Sequence, residues 1–145
     1  MKTTKQAKPL SLQLNKQNWI EINKQICSKE KSNSQLSLKD KKIIVKDYSI
    51  CKNIFSKMRG LMFRKKNYAR PLLFIWKNPD KRAIHSFFCR KFLAIWIIKE
   101  KNKTKIIDER IIEPFKSCVI PKKKFNLLLE IHLAYFLNTD GKAKV

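Results

Sequence analysis

The sequence predicts an α+β domain that is mainly β, with a compact antiparallel, barrel-like sheet and one amphipathic helix near the start of the domain. Three observations favour this fold class. Apolar runs rich in β-branched and aromatic residues recur through the second half of the chain, separated by turn-like segments. One stretch alone has helical periodicity. The 145 residues include 2 glycines and are 43% hydrophobic, which suits one packed core and excludes Gly-rich linkers and phosphate loops.

The domain is expected to span residues 39–145, preceded by a flexible or loosely ordered basic extension over residues 1–38. Residues 1–17 have few apolar anchors, and residues 29–37 are polar as well. Such segments bury too little apolar area to offset the loss of chain entropy on folding. The remainder of the chain is long enough for one independently folding core.

The first elements of the domain are predicted to be a strand over residues 42–47, which read KIIVKD, and then a helix. Ser49 is the expected helix N-cap. The apolar residues that follow recur at four- and three-residue steps as one helical stripe: Ile50, Ile54, Met58 and Leu61. Gly60 lies where a left-handed residue ends a helix most readily, so its predicted role is structural.

The rest of the domain is predicted to consist of strands joined by short connections. The strand-like runs cover residues 71–76, 83–88, 92–99, 105–112 and 125–131. Residues 78–81 (NPDK) are a turn signal between the first two runs, and residues 99–103 suit a hairpin. Short links between neighbouring strands favour an antiparallel arrangement.

The net charge of +23 has two interpretations. Residues 1–40, 41–80, 81–120 and 121–145 carry +5, +9, +6 and +3, so the excess is spread along the chain. With 28 Lys against 6 Arg and abundant Ile and Asn, this pattern indicates a strongly A+T-biased coding sequence. The alternative is a basic protein that associates with RNA or DNA through its phosphates.

A surface that binds nucleic acid by stacking on its bases needs exposed aromatic rings among cations. Aromatic and basic residues are interleaved in this way in one part of the sequence. The aromatic residues there are Trp76, Phe87, Phe88, Phe92 and Trp96, and the cations are Lys77, Arg82, Arg90 and Lys91. The alternation of side chains along a strand predicts that about half of these rings point into the core.

The sequence predicts a cytoplasmic protein without a membrane span. Residues 1–18 contain no apolar stretch of signal-peptide length, and the longest apolar run, residues 92–98, is far short of the roughly 20 residues that cross a bilayer. The cysteines Cys27, Cys51, Cys89 and Cys118 form no CxxC pair, so they are expected to be reduced and mostly buried.

Several motifs, in order, resemble the domain of unknown function 192 family, an uncharacterised group of bacteria and archaea. Residues 59–64 (RGLMFR) resemble its R-G-L-M-x-R signature, and residues 72–74 (LLF), 84–88 (IHSFF), 112–115 (IEPF) and 128–131 (LLEI) resemble later motifs. The similarity covers about residues 41–145. It implies a compact, mainly β domain with one helix near its start, and no reaction or cofactor.

The chain departs from this family at three places. Ala94 stands where the family has Asp, His132 and Leu133 stand where the family has a turn after its Glu, and residues 140–142 (DGK) resemble a shifted form of its terminal motif. If that Asp serves the family's function, the departure at Ala94 implies that this chain has lost it.

The leading hypothesis is a small non-enzymatic binding or accessory domain for a small anionic ligand or a protein partner, without a cofactor and of undetermined oligomeric state. Its candidate pocket consists of Arg59, Arg64, His85 and Phe88, because paired guanidinium groups hold phosphate or carboxylate. Alternatively, the two arginines cap the helix or tie it to the sheet.

A third hypothesis is a metal- or thiol-dependent enzyme. His85 and Cys89 lie four residues apart and would share one face of a regular strand. His132 and Cys118 are the further candidates, and such an enzyme requires two or more of these four side chains to converge within ligand distance. A structural histidine is the favoured interpretation of His85. The acidic residues Asp108, Glu109 and Glu113 are expected to balance neighbouring lysines.

Overall fold

The computed structural model describes residues 10–13, 42–45, 48–53, 70–101 and 103–133. These residues form seven strands: β1 (Leu10–Gln13), β2 (Lys42–Val45), β3 (Ser49–Cys51), β4 (Leu72–Asp80), β5 (Phe92–Glu100), β6 (Lys103–Ile112) and β7 (Phe125–His132). The mainly β character predicted from the sequence is therefore confirmed. No helix occurs among the described residues, and so none that could span a membrane.

The strands form two sheets. β1 and β2 pair as an antiparallel ribbon, and the other five are ordered β3-β4-β7-β5-β6. β3 runs parallel to β4, and the remaining neighbours in the larger sheet are antiparallel. Over the described strands this sheet is mixed and open, with β3 and β6 at its edges, rather than closed into a barrel.

The predicted start of the helix is wrong. Ser49, Ile50 and Cys51 form β3, which pairs with residues 72–74 of β4, and the Ser49 N–H donates to the Pro71 carbonyl at 2.9 Å. Pairing with β4 buries Cys51, so a tertiary contact overrides the local capping signal. The rest of the predicted helix, from Ile54 to Gly60, lies outside the described residues.

Two predicted boundaries near β4 also change. The turn expected over residues 78–81 is absent, because β4 continues to Asp80, with a register shift against β7 between Ile75 and Asp80. The strand expected over residues 83–88 is reduced to one bridge, between Ile84 and Val119. The side chain of Ser86 holds that segment in a non-extended path through hydrogen bonds to the Glu113 carbonyl and the Lys116 N–H.

The larger sheet is buried on both faces. One face carries the buried residues Leu73, Leu93, Ile95, Ile97, Leu127, Leu129 and Ile131, together with Val45 of β2. The other carries Leu72, Phe74, Phe92, Ala94, Trp96, Ile112 and Leu128, together with Phe125 and two cysteines. Alternate residues of β7 enter the two clusters, which explains why the sequence of this central strand is an almost continuous apolar run.

The pairing register defines two ends of the sheet. The last residues of β4 and β5 lie beside the first residues of β7 and β6, since Asp80 pairs with Phe125 and Glu100 with Lys103. We call this the hairpin end. At the opposite end, Phe92 pairs with both Ile112 and His132. The connections over residues 81–91 and 113–124 run between the two ends, and Ile84 and Val119 pack against the second cluster.

Candidate functional site

The candidate site is formed where two connections meet at the end of the sheet opposite the hairpin end. The Ile84 N–H donates to the Val119 carbonyl at 2.9 Å, and the Val119 N–H donates to the Ile84 carbonyl at 2.8 Å. This exchange holds residues 81–91 and 113–124 side by side. Because the two connections are separated by β5 and β6 in the chain, the site depends on the tertiary fold.

Ser86 is the residue that joins the two connections most extensively. Its side chain is fully buried, and its Oγ donates to the Glu113 carbonyl at 2.6 Å and accepts from the Lys116 N–H at 2.8 Å. Its backbone N–H donates to the Lys116 carbonyl, and its carbonyl accepts from the N–H groups of Cys89 and Phe115. One small residue therefore fixes the path of both connections.

Phe88 and Phe115 occupy left-handed backbone conformations, with φ values of 56° and 61°. Such values are unfavourable for a bulky side chain and persist only where surrounding contacts impose them. The two residues are 57% and 68% exposed, and their rings meet edge to face at 6.4 Å. The fold thus holds two large apolar side chains in solvent at the expense of local strain.

His85 and Phe87 extend this exposed aromatic surface. Their rings lie 5.3 Å apart, and the Phe87 N–H donates to His85 Nδ1 at 3.4 Å, an arrangement that places the proton of the neutral imidazole on Nε2. Phe87 is 39% exposed. We call His85, Phe87, Phe88 and Phe115 the aromatic tip.

Cations border the aromatic tip. Arg90 and Lys116 are exposed immediately beside it in the chain. Lys91 Nζ forms an ion pair with Glu113 Oε1 at 2.7 Å. The surface therefore combines apolar rings with positive charge, which suits a ligand that has both an apolar body and an anionic group.

The structure brings together two of the four residues of the predicted pocket. His85 and Phe88 both lie in the aromatic tip, whereas Arg59 and Arg64 are outside the described residues. Sequence reasoning missed Phe115 and Ser86 as members of the site. The position of Phe115 beside Pro114 was the available signal, because proline favours a turn.

The residues nominated for nucleic-acid binding do not form one surface. Trp76 is half-buried, stacks with Phe74 at 6.0 Å, meets Phe125 edge to face at 5.3 Å and has the Arg82 guanidinium 5.1 Å from its ring centroid. Lys77 is exposed near the hairpin end, but Arg90 and Lys91 lie beside the aromatic tip. Of the other nominated rings, Phe92 and Trp96 are fully buried.

The four residues proposed for a metal- or thiol-dependent enzyme differ in their exposure to solvent. Cys89 and His132 are buried, while His85 and Cys118 are exposed. Burial, followed by the charge of Glu130, raises the pKa of Cys89 to about 11, so its thiol is protonated at neutral pH and is a weak nucleophile. No group of three or more His, Cys, Asp or Glu side chains among the described residues could hold a metal ion.

A partly buried ion pair between Asp108 and Arg110 fixes the second connection, residues 113–124, to β6. Asp108 Oδ2 accepts hydrogen bonds from Arg110 Nη2 and, at 3.0 Å, from the Lys122 N–H. Arg110 Nη2 also donates to the Ile120 carbonyl at 2.9 Å, and its guanidinium lies 5.5 Å from the centroid of the Trp96 ring. Burial alone would raise the pKa of Asp108, but the hydrogen bonds and positive charge of Arg110 and Lys122 lower it.

Replacing Asp108 with asparagine is expected to lower the free energy of unfolding by about 2 kcal/mol, since it leaves Arg110 without its carboxylate. The wild-type contribution exists above the unfolded pKa of about 3.8 and is lost as the pH falls below it. Urea denaturation at pH 7 and pH 3 measures both effects. Asp80→Asn, at an exposed position, is the control and should change stability little; equal losses in both variants would contradict this role of Asp108.

The carboxyl group of Glu130 is buried in the centre of the sheet. Glu130 lies on β7 between Leu72 of β4 and Ala94 of β5 and is 6% exposed. Burial raises its pKa to about 8. Ala94 provides no polar side chain to this neighbour.

No protein-family model and no curated protein matches the chain. A crystal structure of a protein of unknown function from Novosphingobium aromaticivorans DSM 12444 is similar to it, with a TM-score of 0.52 and 15% sequence identity over 68% of this chain and 72% of that chain. A Sinorhizobium meliloti 1021 protein, proposed to be a transcription regulator, has a TM-score of 0.49 and 12% identity over 63% of this chain and 69% of that chain. The first likeness shows that the chain shares the fold of the Novosphingobium protein.

Proposed function

We propose that the protein is a small non-enzymatic binding or accessory domain of the unknown-function 192 type. In this proposal it binds an anionic ligand with an apolar body at the aromatic tip. The observation that carries the proposal is the pair of exposed phenylalanines, Phe88 and Phe115, held at positive φ. The proposal includes the amphipathic helix and the barrel-like closure of the sheet that the sequence predicts.

The aromatic tip supplies the apolar half of the interaction. Exposed rings held by a strained backbone lose little conformational freedom on binding, because the hydrogen bonds of Ser86 already fix the two connections. Strained residues also cluster at functional sites. Covering the rings of Phe88 and Phe115 removes apolar surface from water, which favours binding.

The cations around the tip supply the anion-binding half. Arg90 and Lys116 are exposed there, and His85 can donate from Nε2. In the proposal, Arg59 and Arg64 add two guanidinium groups, which hold a carboxylate or phosphate through paired hydrogen bonds.

The dye 8-anilinonaphthalene-1-sulfonate tests this proposal, since it joins aromatic rings to one sulfonate. We expect the folded protein to bind it, and each of Phe88→Ala and Phe115→Ala to weaken the affinity by about fivefold to tenfold, or ~1 kcal/mol. Fluorescence titration measures the dissociation constant, and circular dichroism checks that each variant is folded.

Ile50→Ala is the matched control, because Ile50 is an exposed apolar residue, 43% accessible, on β3 and outside the aromatic tip. It should leave the affinity for the dye unchanged. Equal weakening by Ile50→Ala, or no weakening by the two phenylalanine variants, would refute binding at the aromatic tip.

A second candidate function is association with RNA or DNA, which the net charge of +23 favours. The geometry argues against a stacking surface made from the nominated residues, because the ring of Trp76 is already engaged by Phe74, Phe125 and Arg82. A surface that binds phosphates without stacking fits the distribution of lysines better.

A further inference from the structure

We infer that the hairpin end of the sheet is a second interaction surface, which binds the sugar-phosphate backbone of nucleic acid without stacking on its bases. This surface is distinct from the aromatic tip, so the inference does not depend on the anionic ligand proposed there.

The fold gathers lysines that are far apart in the sequence. The end of β4, the β5–β6 hairpin and the residues before β7 all lie at the hairpin end. Nine exposed lysines lie in these segments: Lys77, Lys81, Lys99, Lys101, Lys103, Lys105, Lys122, Lys123 and Lys124. The exposed acidic residues in the same segments are Asp80 and Glu100. Asp108, which accepts from the Lys122 N–H, is buried and paired with Arg110. A charge that is evenly spread along the chain thus becomes a concentrated patch in the fold.

The size and charge of this patch match a phosphate backbone. From β4 to β6 the sheet spans three strand spacings, or about 14 Å. Duplex DNA carries one negative charge per about 1.7 Å of its axis, or about eight charges over that length. Nine lysines against two carboxylates can therefore displace several counterions at once.

The composition of the patch favours nucleic acid over a membrane surface. Proteins that lie in a bilayer interface insert apolar and aromatic side chains among their cations. The described residues of the hairpin end include no exposed aromatic ring, since Phe125 is buried and the exposed phenylalanines lie at the aromatic tip. Lysine is a point charge that neutralises phosphate without the planar geometry that reads bases.

A double variant tests the inference: Lys103→Gln and Lys105→Gln. The matched control removes two exposed cations that lie outside both the hairpin end and the aromatic tip, by Lys52→Gln and Arg70→Gln, and has the same net charge. Binding of a fluorescein-labelled 20-base-pair duplex and of a 20-nucleotide single strand is measured by anisotropy over a range of salt concentrations.

We expect the hairpin-end variant to bind both probes roughly 50-fold more weakly at 0.1 M salt and to lose about 2 units of the slope of log K against log salt. The control variant should keep most of the affinity and slope. Equal losses in the two variants would show adsorption by total charge and overturn the inference. It would also be overturned if the hairpin-end variant kept its nucleic-acid affinity but lost binding to phosphatidylglycerol vesicles.

Discussion

Replacing Ser86 with alanine is expected to lower the free energy of unfolding by about 3 kcal/mol. The Ser86 Oγ is the partner of two backbone groups of the second connection, the Glu113 carbonyl and the Lys116 N–H. Removing it leaves a donor and an acceptor without this partner at a partly buried position, at about 1–3 kcal/mol each. Urea denaturation followed by circular dichroism measures the change.

The same variant should weaken binding of the sulfonate dye, because Ser86 positions both Phe88 and Phe115. Ser117→Ala is the control, since Ser117 is an exposed serine of the same connection; it should leave stability and dye affinity near their wild-type values. A stable Ser86→Ala variant with unchanged dye affinity would show that Ser86 does not organise the aromatic tip.

Replacing Glu130 with glutamine is expected to stabilise the protein at high pH and to remove most of its pH dependence between about 4.5 and 8. Folding keeps the Glu130 carboxyl protonated up to a pKa of about 8, whereas in the unfolded chain it ionises near 4.5. Between these values the unfolded state binds fewer protons than the folded state. Wild-type stability therefore falls as the pH rises through this interval, by at most about 1.4 kcal/mol per pH unit.

The difference in unfolding free energy between Glu130→Gln and wild type should grow by roughly 4 kcal/mol from pH 4.5 to pH 8. Chemical denaturation at four pH values across this range measures it. Glu100→Gln, at an exposed position of the hairpin end, should follow the wild-type profile. Parallel profiles for wild type and Glu130→Gln would mean that the carboxyl is ionised in the folded protein.

The strands at the centre of the sheet could be predicted from the sequence. The apolar runs at residues 92–99 and 125–131 correspond to β5 and β7, because a strand buried on both faces needs apolar residues at nearly every position. The hairpin between β5 and β6 was also visible in its charged turn. These features are local, so a local pattern suffices to find them.

The aromatic tip could not be predicted in full, since its geometry depends on contacts between distant residues. Residues 83–88 have the composition of a strand, yet hydrogen bonds from Ser86 to residues 27 and 30 positions away turn this segment into a connection. The positive φ of Phe88 and Phe115 has no counterpart in local propensity, because bulky residues avoid that region.

The grouping of lysines at the hairpin end could not be predicted from the sequence for a similar reason. Lys77, Lys103 and Lys123 belong to three separate segments, and each segment alone has an ordinary solvated composition. Only the antiparallel register of β4, β7, β5 and β6 places them at one end. When the charges are counted segment by segment along the sequence, the net charge is therefore attributed to genome-wide codon bias.

Mapping of the dye-binding site by two-dimensional ¹H–¹⁵N NMR tests most directly the central claim that the aromatic tip is the ligand-binding surface. On addition of 8-anilinonaphthalene-1-sulfonate, amide shifts are expected to change at residues 85–90, 113, 115 and 116 and to remain unchanged in the β5–β6 hairpin. Shift changes centred on the hairpin end, with none at Phe88 or Phe115, would contradict the claim.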